Sequence, residues 1–96
     1  MKPWFTSRAQ RDVDEATAFY CTKDLRIAGE FLAEIDAAAE AIGSNPQACA
    51  RVGGALRRYV MKRFPLGMYY RIVRDEIIVV AVIHAKRNPR IWRARQ

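Results

Sequence analysis

Residues 68–84 read MYYRIVRDEIIVVAVIH, and this stretch decides the fold. Two runs rich in β-branched and aromatic residues, Met68 to Val73 and Ile77 to His84, flank the polar tripeptide Arg74-Asp75-Glu76. This pattern predicts two antiparallel strands joined by a tight turn. The second run shows no polar alternation from Ile77 to Ile83, which predicts a central strand that is buried on both faces.

A third strand is predicted immediately upstream, from Leu56 to Phe64. Pro65-Leu66-Gly67 separates it from the hairpin, because proline and glycine interrupt regular strands. A loop of small residues through Gly53-Gly54 precedes it. The C-terminal half is therefore expected to form a mainly antiparallel sheet.

The N-terminal half has helical periodicity instead. Apolar residues recur at steps of three and four in two segments: Ala9, Val13, Ala16 and Tyr20, then Leu25, Ala28, Leu32, Ile35, Ala39 and Ile42. This spacing predicts two amphipathic helices, which we expect to pack as an antiparallel hairpin. Thr6-Ser7 supplies an N-cap for the first helix, and Gly43 is expected to end the second. A short strand over residues 2 to 6 completes the prediction.

Acidic residues are expected to stabilise the start of the first helix. Asp12, Asp14 and Glu15 lie in its early turns, where the positive end of the helix dipole stabilises anions. These acidic residues are therefore expected to stabilise the helix in which they lie.

The charge is divided unevenly along the chain. Residues 1–50 hold 5 basic and 8 acidic side chains, whereas residues 51–96 hold 12 basic and 2 acidic ones. The two halves thus carry −3 and +10, within a formal net charge of +7. Such asymmetry predicts a surface that binds something anionic, whether nucleic acid, an acidic protein segment or a membrane surface.

Length and composition predict one domain spanning residues 1–96, since a chain of this size supports a single core. No apolar run approaches the roughly 20 residues that cross a bilayer, so we expect a cytoplasmic protein that does not engage membranes. Cys21 and Cys49 are expected to be reduced thiols. Signatures for phosphate loops, serine hydrolases and zinc sites are missing, and we expect no metal, no cofactor and no catalytic residue.

Four short motifs in the C-terminal half occur together. Leu56-Arg57 opens a strand, Arg63-Phe64-Pro65 ends it, Tyr70-Arg71 lies in the next, and the pattern H-x-x-R-x-P-x-x-W spans residues 84–92. In this order they resemble the ParE toxins of the ParE/RelE superfamily. Ala9 to Asp12, Phe19-Tyr20 and Asn45-Pro46 are also similar, so the likeness covers nearly the whole chain.

The resemblance implies an α+β, RelE/ParE-like fold: a short N-terminal strand, an antiparallel helical hairpin, and a three-stranded antiparallel continuation of the sheet. It also implies the toxin of a type II toxin–antitoxin system. Such toxins are held inactive, in a hetero-oligomer, by an antitoxin of the ParD kind with an acidic and apolar segment. The best-known members poison DNA gyrase. An acidic partner agrees with the charge of the second half.

Seven arginines are the predicted contacts with antitoxin or target: Arg58, Arg63, Arg71, Arg87, Arg90, Arg93 and Arg95. Arg57 and Arg58 face opposite sides of a strand, so only one is assigned to a partner. Arg71 either anchors carboxylates of the antitoxin or pairs across the strands with Glu76. Trp92 is expected to pack the tail on the sheet, and His84 to organise the turn into that tail.

Two alternatives stay open. RelE-like members cleave mRNA on the ribosome, and here Lys62, Arg63, Lys86 and Arg87 could clamp a phosphate. Gly67, however, stands where those enzymes carry a catalytic arginine, and Trp92 lies near the position of their tyrosine; indole cannot act as a titrating acid or base. The second alternative is a non-toxic nucleic-acid-binding module, although both predicted helices have acidic exposed faces.

Overall fold

The computed structural model describes all 96 residues as a five-stranded sheet with a helical hairpin on one face. The elements are β1 (Trp4–Phe5), α1 (Ser7–Cys21), α2 (Leu25–Ser44), β2 (Arg51–Gly53), β3 (Leu56–Val60), β4 (Leu66–Val73), β5 (Glu76–His84) and α3 (Pro89–Arg93). None of the helices is long and apolar enough to cross a membrane.

The strand order is β1-β5-β4-β3-β2. The three long strands are antiparallel neighbours, as the sequence predicts, and the short β1 pairs with β5 in the parallel direction. The edge strand β2 lies in the segment that we expected to be a loop, and its pairing with β3 is irregular between Arg51 and Gly53. Three residues that include glycine carry little β-propensity, so pairing with β3 determines this strand.

The central strand β5 is buried on both faces, which confirms the prediction from its unbroken apolar run. A register shift opposite Tyr69 and Tyr70 leaves Val80 as an extra residue on β5. A bulge of this kind reverses the alternation of side chains beyond it. Val79 and Val82 therefore face the helices, whereas Val80 and Ala81 both face the other side.

The core under the helical hairpin is built from both helices and the sheet. In α2 the buried apolar stripe is Ala28, Phe31, Ile35, Ala38 and Ile42. The predicted stripe is wrong at two positions, because Leu25 and Leu32 are 76% and 43% exposed. Apolar residues at steps of three and four form two adjacent stripes on this helix. The stripe that contains Phe31 faces the core, because its aromatic ring packs against Tyr20 and Phe64.

The ends of the helices follow local rules with one exception. Thr6 caps α1, since its Oγ1 accepts a hydrogen bond of 3.1 Å from the amide of Ala9. The helix α2 continues to Ser44, one residue beyond the predicted end at Gly43. Gly43 is needed inside the helix because a Cβ there would lie 2.0 Å from the carbonyl oxygen of Met1.

The last residues of the predicted third strand form a turn between β3 and β4 instead. The strand ends at Val60 because the carboxylate of Glu34 on α2 accepts hydrogen bonds from the amides of Lys62 and Arg63, at 2.6 and 3.2 Å. These amides are thereby lost to strand pairing, and the turn is held against α2.

The opposite face of the sheet is covered by the C-terminal segment. Trp92 in α3 is 4% exposed and stacks on Tyr69, with ring centroids 5.3 Å apart. Its indole also reaches β2, where a Cβ at Gly53 would lie 2.9 Å from the ring. The expectation that Trp92 packs the tail onto the sheet is confirmed.

Candidate binding surfaces

The predicted arginines do not form one patch; the structure distributes them over three places. Arg58, Arg63 and Arg87 lie at the end of the sheet where β3 and β5 finish, and Arg90 and Arg93 lie on α3. Arg71 and Arg95 lie near the start of α1, where both line one small depression.

The pairing of the strands creates the cationic end of the sheet. Leu66 at the start of β4 is opposite His84 at the end of β5, and the amide of Ala85 donates to the carbonyl of Pro65 at 2.9 Å. The connection before β4 and the segment after β5 are therefore neighbours. These two segments carry Lys62, Arg63, Lys86 and Arg87, all exposed. We call this group the sheet-end cations.

Arg58 supports this end from the tail side of the sheet. Its guanidinium lies 6.0 Å from the ring centroid of Tyr69 and donates a hydrogen bond of 3.3 Å to the carbonyl of Ala85. Arg57 points to the opposite face and donates to the carbonyls of Cys49 and Gln47. The predicted division between the two arginines is confirmed, and Arg58 is half-buried rather than free.

Arg63 forms a surface ion pair with Glu30, with 2.7 Å between Nη2 and Oε1. Their side chains are 62% and 46% exposed, so solvent screens the attraction and the pair adds little to stability. The guanidinium can therefore exchange Glu30 for a carboxylate of a partner at small cost.

The two arginines of α3 project from the tail. Arg90 and Arg93 are exposed, and the guanidinium of Arg93 lies 5.3 Å from the ring centroid of Trp92. Asn88 caps this short helix, since its Oδ1 accepts from the amide of Arg90 at 2.9 Å. Both cations are thus attached to a segment that the buried indole holds in place.

Arg95 is engaged inside the molecule. It forms an ion pair with Asp12 of α1, both side chains being 11% exposed. Asp12 also accepts from the amide of Val82, and Arg95 lies 3.4 Å from the carbonyl oxygen of Val80. The pair thus supplies hydrogen-bond partners to backbone groups of β5 that lie beyond the end of β1. Arg95 is the predicted contact that is least available to a partner.

Arg71 makes no ion pair with Glu76, which was one of its two predicted roles. The ion pairs of the structure are Arg26–Asp24, Arg63–Glu30 and Arg95–Asp12. By register Arg71 lies opposite Ile78, and its side chain is half-buried. Its guanidinium therefore has no carboxylate partner within the chain.

A groove of about 330 Å³ runs between α1 and the end of β5. Arg87 and His84 lie on one side of it, and Glu15 and Phe19 lie on the other. Phe19 is 55% exposed, which is unusual for a large aromatic ring. The groove combines an accessible apolar surface with a free cation at its rim.

Two tyrosines near these surfaces have shifted pKa values. Burial raises the pKa of the Tyr70 phenol, and its hydroxyl donates to the carbonyl of Pro46 at 2.6 Å. Burial likewise raises the pKa of Tyr20. His84 is exposed, and its Nδ1 accepts from the amide of Lys86 at 3.2 Å. This bond organises the turn after β5, as predicted for that histidine.

Two residues of these surfaces have contacts that the sequence does not predict. The sequence predicts that Asp12 stabilises its own helix, but its contacts lie 70 and 83 positions away in the chain, so no local pattern could indicate them. Phe19 appears only within the aromatic pair of the family motif. Its position on the outer side of the α1 stripe was the available signal.

Comparison with known proteins agrees with this architecture. The family model described as the ParE toxin of type II toxin–antitoxin systems, parDE, matches residues 5–89. A solved chain of the chromosomal ParDE toxin–antitoxin system from P. aeruginosa superposes with a TM-score of 0.79 at 18% identity, covering 90% of this chain and 97% of that one. At that identity the superposition shows a shared fold. No curated protein matches significantly. On the family match, the chain belongs to the ParE toxins of type II toxin–antitoxin systems.

Proposed function

We propose that this ParE-family protein stops growth by poisoning DNA gyrase, and that a ParD-like antitoxin neutralises it. The observation that carries the proposal is the structural use of Gly67 and Trp92, the two positions at which a RelE-like nuclease would hold catalytic groups. Both serve packing. A toxin that lacks this pair acts by binding, and gyrase is the target that the resemblance implies.

Gly67 lies in β4 opposite Val60, on the face that the tail covers. A Cβ at this position would lie 3.1 Å from two side-chain carbons of Arg58 and 3.3 Å from the ring of Tyr69. These distances are below the roughly 3.5–4.0 Å of comfortable carbon contacts. An arginine here would displace both neighbours, so the site is occupied by the packing of Arg58 on Tyr69.

Trp92, which the resemblance puts near the position of the nuclease tyrosine, is buried. An indole N–H can donate a hydrogen bond but does not titrate, so it cannot exchange a proton with an RNA hydroxyl. The neighbouring phenol of Tyr69 is fully buried under it. Burial also raises the pKa of the Tyr70 phenol, which makes its ionised form still less accessible to act as a base.

The ribosome-dependent nuclease is kept as a second candidate because of one observation. The sheet-end cations come from two segments that the strand pairing brings together, and four positive charges at one edge could bind a phosphodiester. In that case catalysis would depend on electrostatic stabilisation alone, without a titrating residue.

The antitoxin proposal rests on complementary charge and exposed apolar surface. Arg87 is free at the rim of the groove that exposes Phe19, and Arg63 is held only by a screened ion pair. A segment that places an apolar side chain on Phe19 and a carboxylate near Arg87 would use both features. Charge-assisted hydrogen bonds from arginine are about twice as strong as neutral ones.

The first test is the order in which DNA and protein synthesis fail in bacteria that produce this chain without an antitoxin. Pulse-labelling should show DNA synthesis falling first, with protein synthesis following. If protein synthesis collapses first, the gyrase proposal is lost and the nuclease becomes the working model. The variants Lys62→Gln and Arg87→Gln should then relieve the inhibition of translation.

A second test uses purified gyrase and supercoiled DNA, with gel detection of cleaved complexes. We expect the protein to increase these complexes and the double variant Arg87→Gln/Arg90→Gln to be at least about tenfold less potent, since each loses a charged contact. Arg26→Gln is the matched control, because that side chain is 89% exposed on the helical hairpin. Equal potency of the double variant would remove these arginines from the target interface.

Binding of a ParD-like antitoxin can be tested by its association rate. Electrostatic steering predicts a rate that falls steeply with added salt. Arg87→Glu should lower the rate at low salt by about tenfold, whereas Arg26→Glu should leave it nearly unchanged. A rate that does not depend on salt or on Arg87 would contradict docking at the groove.

A further inference from the structure

A small depression of about 280 Å³ lies where the start of α1, the middle of β4 and the C-terminal segment meet. It is lined by Thr6, Arg8, Arg71, Val80, Ala94, Arg95 and Gln96. Three of these are arginines, one each from α1, β4 and the segment after α3. The depression lies toward the opposite end of β4 from the sheet-end cations, and two of its arginines, Arg71 and Arg95, are among the seven predicted partner contacts.

Two of the three guanidiniums are not neutralised within the chain. Arg95 pairs with Asp12, but neither Arg8 nor Arg71 takes part in any of the three ion pairs. Arg95 also keeps one donor, Nε, without an acceptor in the protein. The depression and its Asp12 partner thus carry three positive charges and one negative charge. Cations grouped in this way repel one another unless an anion lies between them.

The first turn of α1 adds to this positive potential. Its cap, Thr6, lines the depression, and the turn contains no acidic residue. The sequence places Arg8 there instead, although the positive end of a helix dipole disfavours a cation. The early acids predicted to stabilise this helix begin only at Asp12, which is occupied by Arg95. The local helix geometry and the arginines therefore favour the same kind of ligand.

We propose that this depression is a binding site for a phosphate dianion. Two guanidiniums without an internal ion-pair partner, those of Arg8 and Arg71, match a phosphate or phosphate monoester, which carries about −1.5 to −2 at pH 7, better than a single carboxylate. Guanidinium groups also fit phosphate oxygens through paired hydrogen bonds. The source is either free inorganic phosphate or the phosphate of a nucleotide. This site does not depend on gyrase poisoning, so each proposal can fail alone.

Thermal unfolding in sodium phosphate, compared with sodium chloride at the same ionic strength and pH 7, tests the site. A ligand that binds only the folded state raises Tm, and we expect a rise of about 7 °C when phosphate is tenfold above its Kd. Calorimetric titration with inorganic phosphate should give one site per chain. Equal Tm values in the two salts, with no heat of binding, would overturn the proposal.

Variants separate the site from general effects of phosphate on stability. Arg8→Gln and Arg71→Gln should each lose most of the rise in Tm, whereas Arg11→Gln, an exposed arginine of the same helix outside the depression, should keep it. Phosphate also strengthens burial by exclusion from protein surfaces. That effect would persist in all three variants, and such a result would overturn the site.

A parallel titration with adenosine monophosphate identifies the source of the anion. Tighter binding of the nucleotide than of inorganic phosphate would support the site with a nucleotide ligand. Equal affinity would support it with free phosphate as the ligand. Failure of Arg8→Gln to weaken either titration would overturn the assignment of that residue and of the site.

Discussion

The two faces of the sheet are stabilised in different ways. The face under α1 and α2 has a core of 14 buried residues with a cluster of three aromatic rings, Tyr20, Phe31 and Phe64. The face under the tail has only 7 buried residues, and Trp92 is its anchor. The smaller core depends on a few contacts between remote parts of the chain, so single substitutions should weaken it in a more localised way. It is also the face to which the arginines of α3 are attached.

The largest effect is expected from breaking the helix-side core. Phe31→Ala removes a fully buried ring from the aromatic cluster, and such substitutions cost about 3–5 kcal/mol in the free energy of unfolding. Leu32→Ala is the matched control, since that neighbour is 43% exposed and should cost less than about 1 kcal/mol. Urea unfolding measures both. Similar losses for the two variants would mean that the assigned inner stripe of α2 is wrong.

The next largest loss of stability is expected from breaking the ion pair between Asp12 and Arg95, which lies beside β5. Asp12→Asn leaves Arg95 as a largely buried cation without its partner, and we expect a loss of about 3 kcal/mol. Asp14→Asn is the control, because that carboxylate only accepts an exposed hydrogen bond from Gln10. Thermal unfolding of both variants is sufficient. A loss below about 1 kcal/mol for Asp12→Asn would show that Arg95 is readily solvated and free to bind a partner.

A moderate loss of stability is expected from a change confined to the face of the sheet under the tail. Gly53→Ala places a Cβ 2.9 Å from Trp92, and relieving the overlap should cost about 1–3 kcal/mol and shift the indole. Gly29→Ala is the control, since no atom lies within 4 Å of its Cβ position in α2. Removing a glycine from a helix interior should stabilise by roughly 0.5–1 kcal/mol.

Tryptophan fluorescence reports whether the damage is local. Because Trp4 also fluoresces, the comparison uses a Trp4→Phe background, in which the emission of Trp92 should move to longer wavelength with Gly53→Ala while the far-ultraviolet circular dichroism stays unchanged. An unchanged spectrum together with unchanged stability would contradict the close approach of α3 to β2.

The order of the elements could be predicted from the sequence because each has a local signal. The apolar run of β5, the turn before it and the two helical periods all depend on residues close together in the chain. The inner stripe of α2 could not be selected in this way. Leu32 and Phe31 both fit a helical period, and the packing of Phe31 against Tyr20 of α1 and Phe64 of a distant loop decides between them.

The sites were less predictable than the elements, because register decides which cations meet. The alternation of a strand correctly separates Arg57 from Arg58. Grouping Arg71 with Arg8 and Arg95 requires knowing that α1 begins beside β4 and the tail. The pairing of Asp12 with Arg95 likewise depends on the bulge at Val80, which exposes backbone groups of β5 and has no recognisable sequence signal.

Two adjacent tyrosines allow the two faces of the sheet to be compared through single hydroxyl groups. Tyr69 and Tyr70 are both fully buried, but the hydroxyl of Tyr70 donates to Pro46 on the helix side, whereas that of Tyr69 has no partner under the tail. Tyr70→Phe should therefore cost about 1 kcal/mol at pH 7. Tyr69→Phe should cost nothing or stabilise slightly, because it removes an unsatisfied group. Equal losses in urea unfolding would show that Tyr69 has a partner after all.

The same pair predicts a dependence on pH. Burial raises the pKa of Tyr70 in the folded state above the value of about 10 that it has when unfolded. The folded chain keeps this proton at a pH where the unfolded chain releases it, so the contribution is complete below about pH 10 and declines above it. The slope from one such group reaches about 1.4 kcal/mol per pH unit. The advantage of the parent over Tyr70→Phe should therefore shrink and then reverse between about pH 10 and 11. Lysines titrate in both proteins and cancel in the difference, so parallel curves would mean that the Tyr70 phenol ionises in the folded state as readily as in the unfolded chain.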